Sequence, residues 1–172
     1  MKKSIILLFI FFVSCTSKNS KITHVVLENK IINKTYLQQI DEPEKALLAW
    51  YLYAYGNECD KTSTKIKCTI LKELQINDEC DGKHLNNLLQ WFSNDMMVVY
   101  KLNKCPNLPI KSAIQNEFKK IVIKRNKDTI SINFTVKGLN NNQEKSWNIT
   151  KIDQYLITSS NFVKLKGVNN EE

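Results

Sequence analysis

Glycine, arginine, histidine and long apolar runs are all scarce in this 172-residue chain, and each scarcity removes a class of function. Four glycines are too few to build phosphate-cradling loops. No Gly-x-Ser-x-Gly elbow and no His-Glu-x-x-His helix occurs. Arg125 is the only arginine, and the forked guanidinium is what bidentate phosphate or guanine contacts favour. The basic excess therefore does not read as a nucleic-acid surface. The two histidines are His24 and His84. His84 falls near the start of a predicted helix, where a surface histidine is expected. The one long apolar run, Ile5 to Val13, is far short of the roughly 20 residues needed to cross a bilayer.

That run does have the length of a signal-peptide core, and it follows a positive start, Met1-Lys2-Lys3. The next residues read Phe12-Val13-Ser14-Cys15. This resembles the lipobox of bacterial lipoproteins, with a small residue just before the cysteine and Phe12 where leucine is usual. The resemblance implies cleavage before Cys15 and lipid on its thiol. Residues 1–14 are thus expected to be a signal peptide, 15–22 a lipidated tether, and 23–172 one domain. A single acyl chain gives marginal membrane binding at about 0.8 kcal/mol per methylene, whereas two or three hold a protein durably. Thr16, rather than an aspartate, follows the cysteine, so the resemblance points to the outer membrane, facing the periplasm.

The charge is uneven. From Lys21 to Asn116 there are twelve lysines against eleven carboxylates; from Glu117 to Gly167 there are ten basic residues against four acidic ones. The surplus suits a solvated outer face or an acidic protein partner. Cys59, Cys68, Cys80 and Cys105 remain after Cys15. Four cysteines in an exported chain imply two disulfides, expected between sequence neighbours as Cys59–Cys68 and Cys80–Cys105. A zinc site built on Cys80 and His84 lacks the usual Cys-x2-4-Cys pair, so no metal and no cofactor are expected. The run Asn77 to Gly82 resembles half a calcium loop, but Leu88 stands where the bidentate glutamate belongs. Asp78 and Asp81 read as turn and helix-cap residues instead. Asp128-Thr129-Ile130 resembles an acceptor for bacterial O-glycosylation.

The periodicity predicts an α+β domain: about three N-terminal helices, then an antiparallel β-meander packed on them. Val25 to Leu27 reads as a short strand, and Ile31 to Ile40 fits either state. Asp41-Glu42-Pro43-Glu44 is a helix start, with an acidic cap and proline in the first turn. The helix it opens runs to Tyr55, is apolar on almost every side, and should lie at the centre of the core. Further helices are expected over Lys65 to Leu74 and after Asp81, the latter with Leu85, Leu88, Leu89 and Phe92 on one face. Asp95 to Leu102, Phe118 to Arg125, Thr129 to Val136, a segment from Trp147, and Phe162 to Lys166 read as strands, with a turn at Gly138 to Asn142. The element order resembles the cystatin-like and NTF2-like folds, which implies a cleft beneath a curved sheet. Trp50, Tyr53 and Trp91, with Tyr51 and Tyr55, are the candidate pocket residues for such a cleft.

With so little catalytic chemistry, the chain reads as a non-enzymatic envelope lipoprotein whose domain binds a protein. Two other functions are compatible: a periplasmic immunity protein that neutralises a secreted toxin, and a small-ligand-binding or hydrolytic domain using the aromatic cleft.

Overall fold

The computed structural model describes residues 21–60, 62–76 and 82–171, with no side chains described for 82–84, 166 and 168–171. The expected signal peptide, Cys15 and its tether up to residue 20, Cys80, and the turn and cap residues Asp78 and Asp81 lie outside these segments. The described residues form an α+β domain with five helices and a six-stranded antiparallel sheet. In chain order the elements are β1 (Ile22–Glu28), β2 (Ile31–Ile32), α1 (Lys34–Gln39), α2 (Glu42–Tyr55), α3 (Ile66–Glu73), α4 (Gly82–Trp91), α5 (Met96–Leu102), β3 (Ile114–Asn126), β4 (Thr129–Asn140), β5 (Lys145–Ile157) and β6 (Phe162–Glu171). Strands therefore precede the helices as well as follow them. β1 crosses back to pair with β3, giving the order β2-β1-β3-β4-β5-β6.

The ambiguous segment Ile31 to Ile40 splits into two short elements. Asn29 and Lys30 close a two-residue turn between β1 and β2, both at positive φ. Asn33 then caps α1 by accepting from the Tyr36 N–H. α2 begins as its sequence predicts, with the Asp41 carboxylate accepting from the Glu44 N–H at 3.0 Å. Eight consecutive residues of α2, Ala46 to Tyr53, are buried. The helix packs against β4 on one side and against α3 and α4 on others, so no face of it can be polar.

Two expectations are corrected. Asp95 to Leu102 is helical, not extended. Asp95 accepts from the Met97 and Val98 N–H groups at 3.1 Å each, and Val98 and Leu102, one turn apart, point into the core. The turn expected at Gly138 to Asn142 lies later, because β4 runs to Asn140. Gly138 pairs with Trp147 across the sheet, and the indole lies where a Cβ on residue 138 would be, within 2.5 Å of three ring atoms. Glycine here makes room for an aromatic ring rather than ending the strand.

β4 follows its alternation closely. Ile130, Ile132, Phe134 and Val136 are fully buried beneath the helices. Cys59 and Cys68 form a disulfide that ties the start of α3 to the loop after α2. Cys105 is disulfide-bonded as well, and its expected partner, Cys80, lies outside the described residues.

Candidate functional site

At the middle of the sheet the inward residues of β3 and β4 are aliphatic or aromatic. One row of cross-strand partners reads His24, Ile123, Ile132, Asp153, Gly167, so an aspartate takes the place of a core aliphatic. Asp153 is 1 % exposed. Burying a carboxylate this deeply requires charged or hydrogen-bonding partners. Alternation along β5 puts Lys151 and Tyr155 on the same face, and β6 contributes Lys164 opposite Tyr155.

These side chains form one network. Tyr51 from α2 donates its hydroxyl to Asp153 Oδ2. Its oxygen is 2.8 Å from the Tyr155 hydroxyl. Lys164 Nζ lies 3.1 Å from Asp153 Oδ1, and Lys151 Nζ 3.7 Å from Oδ2. Among the described residues Oδ1 has no hydrogen-bond partner, so Lys164 meets it as an ion rather than along a donor direction. Lys151 also donates to the Tyr55 hydroxyl at 2.9 Å. Gly167 is what leaves space for the carboxylate: a Cβ there would stand 2.4 Å from Asp153 Oδ1.

The protonation states follow from this geometry. Burial pushes the Tyr51 hydroxyl well above the ordinary tyrosine value, and the fields of Tyr155 and Asp153 add to it. Burial also raises Tyr155. For Lys151, burial opposes the charge, but the hydrogen bond to Tyr55 and the attraction of Tyr55 and Asp153 outweigh it, and its pKa is raised. Tyr51 and Tyr155 therefore keep their protons, and Tyr51 donates its own to Asp153. Two lysines against one aspartate leave this centre one positive charge in excess.

That excess opens onto a cavity of about 110 Å³, bordered by Trp50, Met97, Asp95 and Lys101 as well as the network itself; Asp95 and Lys101 offset each other, so the single positive excess stands. Along its edge runs α5, whose outer side is unusually apolar. Met96 is 76 % exposed, Met97 67 % and Tyr100 56 %. Lys104 Nζ sits 4.3 Å from the centre of the Tyr100 ring, a cation–π contact that holds the ring on the surface. Methionine pairs of this kind make soft, adaptable contact surfaces.

The residues singled out as pocket candidates scatter. Trp50 borders the cavity, but packs mainly on Phe92. Tyr53 is fully buried and does not line it. Trp91 packs on Phe162, with ring centres 5.0 Å apart. Tyr51 and Tyr55 do reach the network, which the aromatic reading included without its charged members. Lys151, Asp153, Tyr155 and Lys164 went unread in the sequence. A signal existed: the alternation started by Trp147 and Ile149 continues through Lys151 and Asp153, which places charge on the inward face. A second buried carboxylate, Glu44, accepts from the Tyr36 hydroxyl at 2.8 Å, and burial raises its pKa. It links α1 to α2 and faces none of the cavity residues named above. Among the described residues, no three histidine, cysteine, aspartate or glutamate side chains converge as a metal site.

Comparison of this chain with protein-family models, with curated proteins and with solved structures finds no match.

Proposed function

We propose that this chain is a non-enzymatic, protein-binding lipoprotein of the cell envelope, anchored through lipid on Cys15. Its partner presents an acidic group flanked by apolar side chains to α5 and the lysines beside it. The observation that carries this reading is the juxtaposition of Met96, Met97 and Tyr100, all more than half exposed, with Lys101, Lys151 and Lys164. An exposed apolar patch rimmed by charge is the usual signature of a recognition surface. The one-charge excess behind it favours an acidic partner. The Asp153 carboxylate is engaged by Tyr51 and both lysines, which suits a fixed electrostatic centre better than a proton-transferring base.

A photocrosslinking residue at Met97 tests this in cells. The expected result is one discrete adduct, lost when Lys101 is changed to Glu, whose partner carries an acidic segment at the crosslink. A pattern identical to that from a crosslinker at Gln154, outside this surface, would refute the reading. Cys15→Ser is expected to move the intact domain to the soluble fraction; a variant still on the membrane would overturn the anchor.

The excess of ten basic over four acidic residues from Glu117 to Gly167 also suits one particular partner, an acidic secreted toxin. In that immunity role, a toxin gene lies immediately upstream and deletion of this chain sensitises cells to its product.

A further inference from the structure

A larger cavity, of about 440 Å³, lies away from α5 where the start of α3 meets β3 and β4. Its volume falls in the lower part of the range of small-molecule sites. Ile66, Leu139 and the edge of Phe118 give it apolar walls. Lys30 and Lys65 stand on its rim, both solvent-exposed, and the Lys65 ammonium donates to the neutral amide oxygen of Gln115 at 3.2 Å, which leaves its charge uncompensated. Lys67 also borders it, but its ammonium is committed to the Asn57 carbonyl at 2.8 Å and to Asn107. The one carboxylate on the rim, Glu117, is paired with Lys119. The rim is thus left cationic over an apolar floor, and the first turn of α3, which no side chain caps, adds partial positive charge.

Lys30 adds a second kind of observation. It occupies a two-residue hairpin turn in which both residues have positive φ, 51° at Asn29 and 64° at Lys30. Such turns favour glycine at the second position, since a side chain there is strained. Lys30 lines the cavity from that conformation, at a cost to the fold that glycine would not carry.

We infer that this cavity binds a small amphipathic anion, an aliphatic chain ending in a carboxylate. The chain lies against Ile66 and Leu139, and the carboxylate meets Lys30 and Lys65. The site shares no residue with the α5 surface and is independent of the protein-binding role.

The test uses the full chain in its Cys15→Ser form, with octanoate, 1-octanol and acetate as probes and amide NMR as the readout. Octanoate is expected to saturate a single site and shift the amides of Ile66 and Leu139. Octanol, with the same chain and no charge, should bind at least tenfold more weakly, and acetate should not saturate. Lys30→Gly is expected to raise the melting temperature of the free protein while weakening octanoate at least threefold, opposite signs that a purely structural lysine would not give. Lys65→Gln is expected to weaken octanoate and leave octanol unchanged. The inference fails if octanoate does not saturate, if octanol binds as tightly, or if the shifted amides lie elsewhere. Lys30 and Lys65 are both exposed, and folding of each variant is checked by its melting curve before titration.

Discussion

Replacing Asp153 with asparagine removes a charge without changing shape, and the cost follows from what surrounds it. Losing one partner of a fully buried ion pair typically costs about 3–5 kcal/mol, because the other charge is left without compensation. Here the partners differ in exposure. The Lys164 side chain is 41 % exposed and can rehydrate, whereas Lys151 is 18 % exposed and keeps only the Tyr55 hydroxyl. Asparagine can still accept from Tyr51, but its amide hydrogens face two ammonium groups. The penalty should therefore fall below the fully buried range, at about 2–3 kcal/mol. With m near 2 kcal/mol/M, the urea midpoint at neutral pH moves down by roughly 1–1.5 M while m stays constant. A shift worth less than about 0.5 kcal/mol, the range of ordinary surface substitutions, would show that the network is solvated and that the excess charge attributed to it is screened away. Asp153→Leu combined with Lys151→Met offers a control of opposite sign: an apolar replacement of the pair is expected to be neutral or stabilising, by up to about 4 kcal/mol.

Gly138→Ala drives a methyl into the Trp147 ring and is expected to cost about 1–3 kcal/mol in urea unfolding, most of it recovered when Trp147 is also changed to Ala. Changing both Cys59 and Cys68 to Ser removes a bridge across nine positions of sequence. Loop-closure entropy puts that loss at about 2.5 kcal/mol, and a midpoint unchanged from the parent would refute it. Alkali should destabilise the fold through Tyr36, Tyr51 and Tyr155, all raised chiefly by burial. Below pH 10 both states keep these protons and the contribution is fully present. Above it the unfolded chain releases them first, so stability falls by up to about 1.4 kcal/mol per pH unit for each tyrosine. Unfolding free energies that stay level between pH 9 and pH 11 would contradict this.

How legible each element was depends on how many physical signals agreed. β4 carries four apolar residues at strict two-residue spacing, and the core holds all four. α2 combined a cap, a first-turn proline and an unbroken apolar run, and its position at the centre follows. α5 failed because Met-Met-Val-Val-Tyr is apolar at every spacing, so periodicity could not choose. What decided it was Asp95, a cap that satisfies two amides at once. Gly138 read as a turn because glycine usually breaks strands; its reason for being there, the Trp147 ring, sits on the next strand and has no local signature. The Asp153 network showed in the sequence only as charge on the inward alternation of β5, for the same reason. Its members come from α2, β5 and β6, and Tyr51 and Tyr155 alone stand 104 residues apart. The early hairpin was half-seen, since β2 is two residues long and its pairing partner, β1, owes its place to β3.

The burial of α2 on every side sets a requirement on how the chain is made. The helix emerges early, yet the sheet that covers it is built from residues 114 to 171, the last third of the chain. β1 waits equally long, since Glu28 and its partner Lys120 are separated by 92 positions. Until β3 and β4 arrive, a sticky helix and an unpaired strand are exposed together, the combination most prone to aggregate during synthesis. The domain therefore depends on its last strands, and a chain that stops before β4 leaves its most apolar helix without a cover.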